Sequence, residues 1–428
     1  MSGNVLLIVI DQWRAEALSC LGHAVAQTPN LDALAADGWL ARQHFTVTAP
    51  CGPARASLLT GLYAQNHRSI RNGTPLAADI DNIARMARAA GYDPRLFGYT
   101  DTSADPRELS PDDPLLRTFE GVLPGFAIGA ELNEDNLQGW PESLRRKGYR
   151  VPEPESDLYR ASDYFADGFT REAALYRAED SDSAYLVDAL IEYIQEQSGQ
   201  PWFAHLALLR PHPPWIAPEP FNRLIDSEAI PAPVRHASRA AEAAGHPFVK
   251  TWLEEQDRTG YCTPDVNVQQ ISEQQRREIA AVYYGLLAEV DQQIGRLLEF
   301  LRASGDDRDT LIIVTADHGE QLGDHWLWNK GGYFDASYHI PLIVRDPRSD
   351  AETRGRIEQE LFTESVDIVP TILDWLGIPA APQLSGLSLL PLIHGQRPSA
   401  WRRQVVWEFD FRNVQTGFYE SRLGLTPD

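Results

Sequence analysis

Asn4-Val5-Leu6-Leu7-Ile8-Val9-Ile10, continuing into Asp11-Gln12, is the stretch on which the fold turns. After Asn4 the run is wholly apolar and rich in β-branched side chains. A strand with one wet face alternates polar and apolar residues, so an unbroken run belongs to a strand covered on both faces. Thr310-Leu311-Ile312-Ile313-Val314-Thr315 reads the same way and continues through Ala316 into Asp317-His318-Gly319-Glu320. Residues 202–209 and 341–345 are two more short apolar runs of strand length.

Helical signals lie between these runs. Thr28-Pro29 opens a helix through Leu31, Leu34 and Ala35 to Gly38, a cap followed by proline in the first turn. Residues 83–90 read as a helix closing at Gly91, and Leu186, Val187, Leu190, Ile191 and Ile194 share one face of another. Ser272-Glu273-Gln274-Gln275 is a capping box. It opens a long amphipathic helix through Tyr283, Leu286, Val290, Ile294 and Leu298 to Gly305. Residues 366–376 are helical and stop at Gly377. This alternation predicts an α/β fold, a large mostly parallel sheet with helices on both faces. Residues 105–180 and 213–270, rich in Pro, Asp, Glu and Ser, read as long surface excursions from a catalytic domain spanning 1–400. Residues 405–409 read as a strand opening a short C-terminal unit, 401–428.

The 428 residues carry 38 Lys and Arg against 61 Asp and Glu, a net charge of −23. Such a balance excludes nucleic acid and anionic membrane as partners, since both need a basic face. A small anionic substrate needs only a locally positive pocket. The apolar run at 5–10 is too short to span a membrane and lacks the basic leader and cleavage site of a signal peptide. Cys20, Cys51 and Cys262 are an odd, widely spaced set that suits a reducing compartment better than a disulfide framework. The expectation is a soluble, cytoplasmic protein.

In open α/β sheets ligands collect at the carboxyl ends of the parallel strands. Asp11-Gln12 and Asp317-His318 would therefore converge, offering carboxylates, an amide and an imidazole to a hard or borderline divalent cation. A single Asp after a strand is more often a helix cap or turn former; two, with a cysteine nearby, are not. That cysteine is Cys51 of Cys51-Gly52-Pro53-Ala54-Arg55, followed by Leu58-Leu59-Thr60-Gly61. Read alone, a Cys opening a helix four residues before an Arg is a candidate activated thiolate.

The C-x-P-x-R spacing with its trailing L-T-G resembles the signature of the sulfatase family, part of the alkaline phosphatase superfamily. Thr315-Ala316-Asp317-His318-Gly319-Glu320-Gln321-Leu322-Gly323-Asp324-His325, with Lys330 beyond it, resembles that family's second signature. The opening 4–14 is similar to phosphonate monoester hydrolases and phosphodiesterases in particular. Many arylsulfatases carry two adjacent Asp where Asp11-Gln12 stands, and Asn or Gln where His318 stands. The resemblance implies that Cys51 becomes formylglycine, whose hydrate attacks phosphorus and releases product by hemiacetal collapse. It implies metal ligands Asp11, Gln12, Asp317, His318 and the modified Cys51. Manganese is the first expectation for the ion, with calcium or zinc behind it.

By the same resemblance Arg55 orients the hydrate, Lys330 binds a non-bridging oxygen, and His212, in Arg210-Pro211-His212-Pro213-Pro214, protonates the leaving group. Asn72 is a candidate phosphoryl donor or an αL turn residue. Where sulfatases place a Lys-x-His pair this chain reads Gly98-Tyr99-Thr100-Asp101-Thr102, so Tyr99 with Thr100 or Thr102 is expected to form a neutral wall that suits a monoanionic ester. His325 is expected behind the ligands, holding one of them. The implied partners are a small anionic ester and a formylglycine-generating enzyme, with a homotetramer as the implied assembly. Relatives usually end in a small antiparallel sheet, which is expected to be largely missing here. The expected activity is hydrolysis of phosphonate monoesters and phosphate diesters with promiscuous sulfate ester hydrolysis. The alternatives are a sulfate ester hydrolase, a catalytically impaired chain, and a hydrolase using Cys51 as a thiol.

Overall fold

The computed structural model describes residues 3–410 apart from 119, 134–135, 138, 161–170, 198 and 260–270. Ten strands are described: β1 (Asn4–Ile10), β2 (Trp39–Ala41), β3 (His44–Phe45), β4 (Arg95–Gly98), β5 (Ala127–Glu131), β6 (Phe203–Leu208), β7 (Thr310–Thr315), β8 (Leu342–Arg345), β9 (Arg356–Glu358) and β10 (Thr363–Glu364). Eight form one sheet in the order β5-β4-β6-β1-β7-β8-β2-β9, and β3 pairs with β10. Only β8 runs against its neighbours, antiparallel to both β7 and β2. The sheet is therefore mostly parallel.

β1 is central, and its side chains alternate between two cores. Leu6, Ile8 and Ile10 join one and Val5, Leu7 and Val9 the other, the period of two that a pleated strand imposes. The first face is covered by helices Pro29–Asp37, Asp182–Glu196 and Glu273–Ser304, the second by Cys51–Thr60, Ile83–Ala89 and Ile368–Leu376. The 32-residue helix Glu273–Ser304 opens on the expected capping box and ends at Gly305 in the left-handed region, φ 84°.

Three expectations change. Thr28 occupies the cap position of the first helix, but its side chain caps nothing. Asp291 of the long helix takes the helix N–H groups instead, accepting from Asn30 N at 3.1 Å and Leu31 N at 2.8 Å. The region 105–180, expected as an excursion, supplies the edge strand β5 and the helix Trp140–Arg146, whose Trp140 is fully buried. Its Pro- and acid-rich flanks mask so short a strand. Residues 405–409 form a single bridge, Glu408 to Thr48, because only Glu408 finds a backbone partner among the described residues. The expected unit at 401–428 lies outside the described residues beyond 410.

What this topology does for the site is direct. β4, β6, β1 and β7 are consecutive neighbours running the same way, so their carboxyl ends share one edge. There the chain delivers Tyr99, the 210–214 turn, Asp11 and Asp317. Gly98 closes β4 at φ 109°, where a Cβ would stand 2.0 Å from the Ala207 carbonyl oxygen of β6, so only glycine lets these strand ends lie together.

Candidate active site

Asp11, Cys51, Asp317 and His318 are all buried, with one ligand-type atom from each inside a 4.8 Å span. His318 Nδ1 faces its own neighbour's carbonyl, Gly319 O, at 3.0 Å. That contact selects the Nδ1–H tautomer and leaves the Nε2 lone pair turned to Cys51 Sγ at 3.2 Å and to Asp11 Oδ1 and Asp317 Oδ2, each at 3.8 Å. Burial lowers the His318 pKa, which keeps the ring neutral and able to ligate. Asp11 Oδ1 is buried with no hydrogen-bond partner. An orphaned carboxylate oxygen facing an imidazole lone pair is costly unless a cation joins them. The donor set thus fits a divalent ion.

Cys51 is the first residue of a helix, Cys51–Thr60, whose every residue is buried. Gly52 permits close approach of two neighbours, since a Cβ there would meet Asn72 Oδ1 at 3.0 Å and Asp101 O at 3.2 Å. Arg55, one turn on, is directed at carboxylates. Its Nε donates to Asp317 Oδ2 at 2.9 Å, its Nη2 to Asp11 Oδ2 at 3.0 Å, and its Nη1 to Tyr99 O at 3.3 Å. The reading of Cys51 as an activated thiolate gains no support from its protein surroundings. Burial pushes the thiol well above its usual range, Asp11, Asp101 and Asp317 add to the rise, and Lys330 offsets only part of it.

Gln12 has left-handed backbone, φ 65°, held by Tyr283, which donates to Gln12 O at 2.8 Å, and by Asp317 Oδ1, which accepts from Gln12 N at 3.2 Å. Its side-chain amide donates to Glu320, and its Oε1 accepts from Lys330 Nζ at 2.9 Å. Glu320, fully buried, also accepts from Leu322 N and Asn329 N and so ties the Lys330 loop to Gln12. Lys330 Nζ lies 3.0 Å from His212 Nε2. His212 Nδ1 is 2.6 Å from Pro213 O, which leaves Nε2 as the nitrogen facing the site.

The wall after β4 differs from expectation. Tyr99 bonds Asp11 through its hydroxyl and lies under the Arg55 guanidinium, 4.0 Å from ring centroid to Cζ. Thr100 Oγ1 donates to Gly121 O and accepts from Leu123 N, and Thr102 Oγ1 donates to Thr100. The two threonines build the turn rather than face the site. Asp101 between them is the residue that turns inward, at φ 48°, with Oδ2 3.6 Å from Arg55 Nε. Burial pushes its carboxyl up to about 7 against the pull of Arg55, with Asp11 and Asp317 adding to the rise. Asn72 Oδ1 accepts from Gly52 N at 2.9 Å, holding the helix start beside Cys51. His325 does not hold a ligand: it bonds Glu242 at 2.9 Å and stacks on Phe334 at 3.6 Å.

A cysteine at a buried helix start, facing an Asp–Asp–His cluster at a parallel strand edge, has relatives among known proteins. A family model described as Sulfatase matches residues 3–378. The chain belongs to the sulfatase family. Within it, the chain is similar to the multifunctional alkaline phosphatase superfamily protein PehA of Trinickia caryophylli, 40% identical over 433 residues, covering 99% of this chain and 84% of PehA. It superposes on the phosphonate monoester hydrolase of Agrobacterium radiobacter with a TM-score of 0.92 at 44% identity, covering 99% of this chain and 83% of that one. The phosphonate monoester hydrolase of Silicibacter pomeroyi gives 0.87 at 43% identity, covering 94% and 78%. These likenesses bear out the resemblance drawn from the two signatures.

Two residues of this sulfatase-family site escaped the sequence reading. Glu320 was visible in the second signature, but nothing local marks it as a buried acceptor for Gln12. Asp101 lies inside the quoted turn, where no local pattern sets it apart from the threonines on either side.

Proposed function

We propose that this protein hydrolyses phosphonate monoesters and phosphate diesters, with sulfate ester hydrolysis as a lesser activity, using formylglycine derived from Cys51 and one divalent ion. The observation that carries this reading is the pairing of Cys51 Sγ with His318 Nε2 at 3.2 Å beside the unpartnered Asp11 Oδ1. Two phosphonate monoester hydrolases at 43 and 44% identity favour phosphorus over sulfur. Asp11, Asp317, His318 and residue 51 would hold the ion, with Gln12 as the fifth candidate. Bound there, a divalent ion supplies Lewis-acid polarisation of the phosphoryl oxygen and favours the ionised hydroxyl of the hydrated residue 51. Manganese is our first choice, calcium or zinc the next.

The chain's own residues do the rest. Arg55 locks Asp11 and Asp317 in place. Lys330 Nζ, fixed between Gln12 Oε1 and His212 Nε2, binds a non-bridging oxygen of the ester. His212, one nitrogen anchored on Pro213 O, would protonate the departing alkoxide from Nε2 once Lys330 has turned from that nitrogen to the ester oxygen. Tyr99 and Asn72 border the phosphoryl group. Maturation by a formylglycine-generating enzyme and a homotetrameric assembly belong to the same reading. Among the described residues no helix is long and apolar enough to cross a membrane. The three cysteines suit a cytoplasmic setting.

The deciding measurement compares kcat/KM for an aryl phosphonate monoester and the matched aryl sulfate. The protein is manganese-loaded and shown by peptide mass to carry the aldehyde at residue 51. Preference for the phosphonate is expected. Preference for the sulfate would reassign the chain as a sulfate ester hydrolase, and turnover of neither would mark it as catalytically impaired.

A further inference from the structure

Arg55 carries one positive charge and meets three buried carboxylates, Asp11, Asp317 and Asp101. The first two belong to the cluster suited to a cation, which balances them. Asp101 lies outside that cluster and has no such partner role. It is nonetheless built in. Its side chain is 4% exposed, its carbonyl oxygen sits against Gly52, and the turn that presents it is laced by Thr100 and Thr102 to Gly121 and Leu123. Its left-handed backbone is one that Asp and Asn tolerate better than other non-glycine residues.

The consequence is electrostatic. The positive charge available to a substrate comes from the ion, Arg55 and Lys330, and each carboxylate in range subtracts from it. Repulsion from a carboxylate grows with each negative charge on the ester, and in a buried site it is screened weakly. Phosphonate monoesters, phosphate diesters and sulfate esters each carry one negative charge. Phosphate monoesters carry two above their second ionisation near about pH 6. We propose that Asp101 is a specificity-determining residue that restricts this site to singly charged esters, its carboxylate beside Arg55 repelling the second charge of a phosphate monoester. The inference rests on the proposed reading only in seating the substrate's anionic group over residue 51.

The test is the Asp101→Asn variant, which keeps the shape and the backbone preference and removes the charge. For wild type and variant, kcat/KM is measured at mildly alkaline pH for an aryl phosphate monoester, the matched aryl phosphate diester and the matched aryl sulfate. The expected result is a rise of roughly tenfold or more in the monoester-to-diester ratio. Inhibition by inorganic phosphate should tighten by a similar factor, while inhibition by dimethyl phosphate stays within about twofold. An unchanged ratio, or equal losses on all substrates, would overturn the proposal by leaving Asp101 a merely structural role. Should the Asn variant not fold, Asp101→Gly preserves the left-handed turn and gives the same readout. If wild type turns over only the sulfate, the proposed function fails. The factor by which Asp101→Asn tightens inhibition of sulfate turnover by inorganic phosphate then still decides the role of Asp101.

Discussion

Cys51 sits 3.2 Å from a neutral imidazole and within reach of two carboxylates, in surroundings that oppose its own ionisation. A buried thiol so placed is a poor nucleophile, whereas a hydroxyl-bearing residue beside a cation is a good one. Cys51→Ala should therefore abolish ester hydrolysis while leaving far-UV circular dichroism and Tm nearly unchanged; near-normal turnover would remove residue 51 from the chemistry. Lys330→Ala and His212→Ala should each lower kcat/KM by roughly 10²–10⁴-fold. A loss under about tenfold would place that side chain outside the reaction. At this scale the sequence made Cys51, Asp11, Asp317 and Lys330 legible, since each stands in a signature or at a strand end. Asp101 was not legible, because which residue of a turn points inward depends on its φ of 48°, and no periodicity encodes that.

Among elements, the turn after β6 shows how a catalytic side chain is aimed from behind. Arg210, buried, donates from Nη1 to His212 O at 2.8 Å and to Pro214 O at 2.9 Å. Its Nε donates to Asp182 Oδ2 at 3.1 Å, an oxygen that also accepts from Tyr159 at 3.0 Å. Asp182 thus holds the His212 turn from the start of the Asp182–Glu196 helix. Neutralising it leaves a buried guanidinium unpaired, which is costly. Asp182→Asn should lower kcat for alkyl esters, whose leaving group needs the proton from His212, more than for nitrophenyl esters, which need none. Equal losses across a leaving-group series would show a general loss of structure instead. The same scale explains Thr28: the expected cap is displaced by Asp291, 260 residues from Leu31, a partner that only the folded helix layer brings near.

For the molecule as a whole, the helix layers carry buried charge whose cost depends on pH. Glu289, inside the long helix, accepts from Ser181 Oγ at 2.6 Å and leaves Oε2 unpartnered. Burial, with Asp182 nearby, pushes its carboxyl from 4.5 up to about 8. The folded state then binds the proton more tightly than the unfolded state, so this contribution is fully present below the unfolded value near 4.5 and is lost as pH rises through 8. Glu289→Gln should remove that part of the decline, so that Tm falls less between pH 5 and 8 than in wild type. Parallel Tm curves for the two proteins would rule out Glu289 as the source.

By itself the sequence determined the parallel strands, the covering helices and the two acid-bearing strand ends, because unbroken apolar runs and capping patterns are local and survive without tertiary context. It also determined the family, through two spaced signatures. Only the tertiary structure decided which strand runs antiparallel, that Asp291 caps a distant helix, and that Asp101 rather than a threonine faces the site. Those outcomes depend on contacts between residues far apart in the chain, and on a left-handed turn that pairwise packing holds in place. Local pattern carries neither.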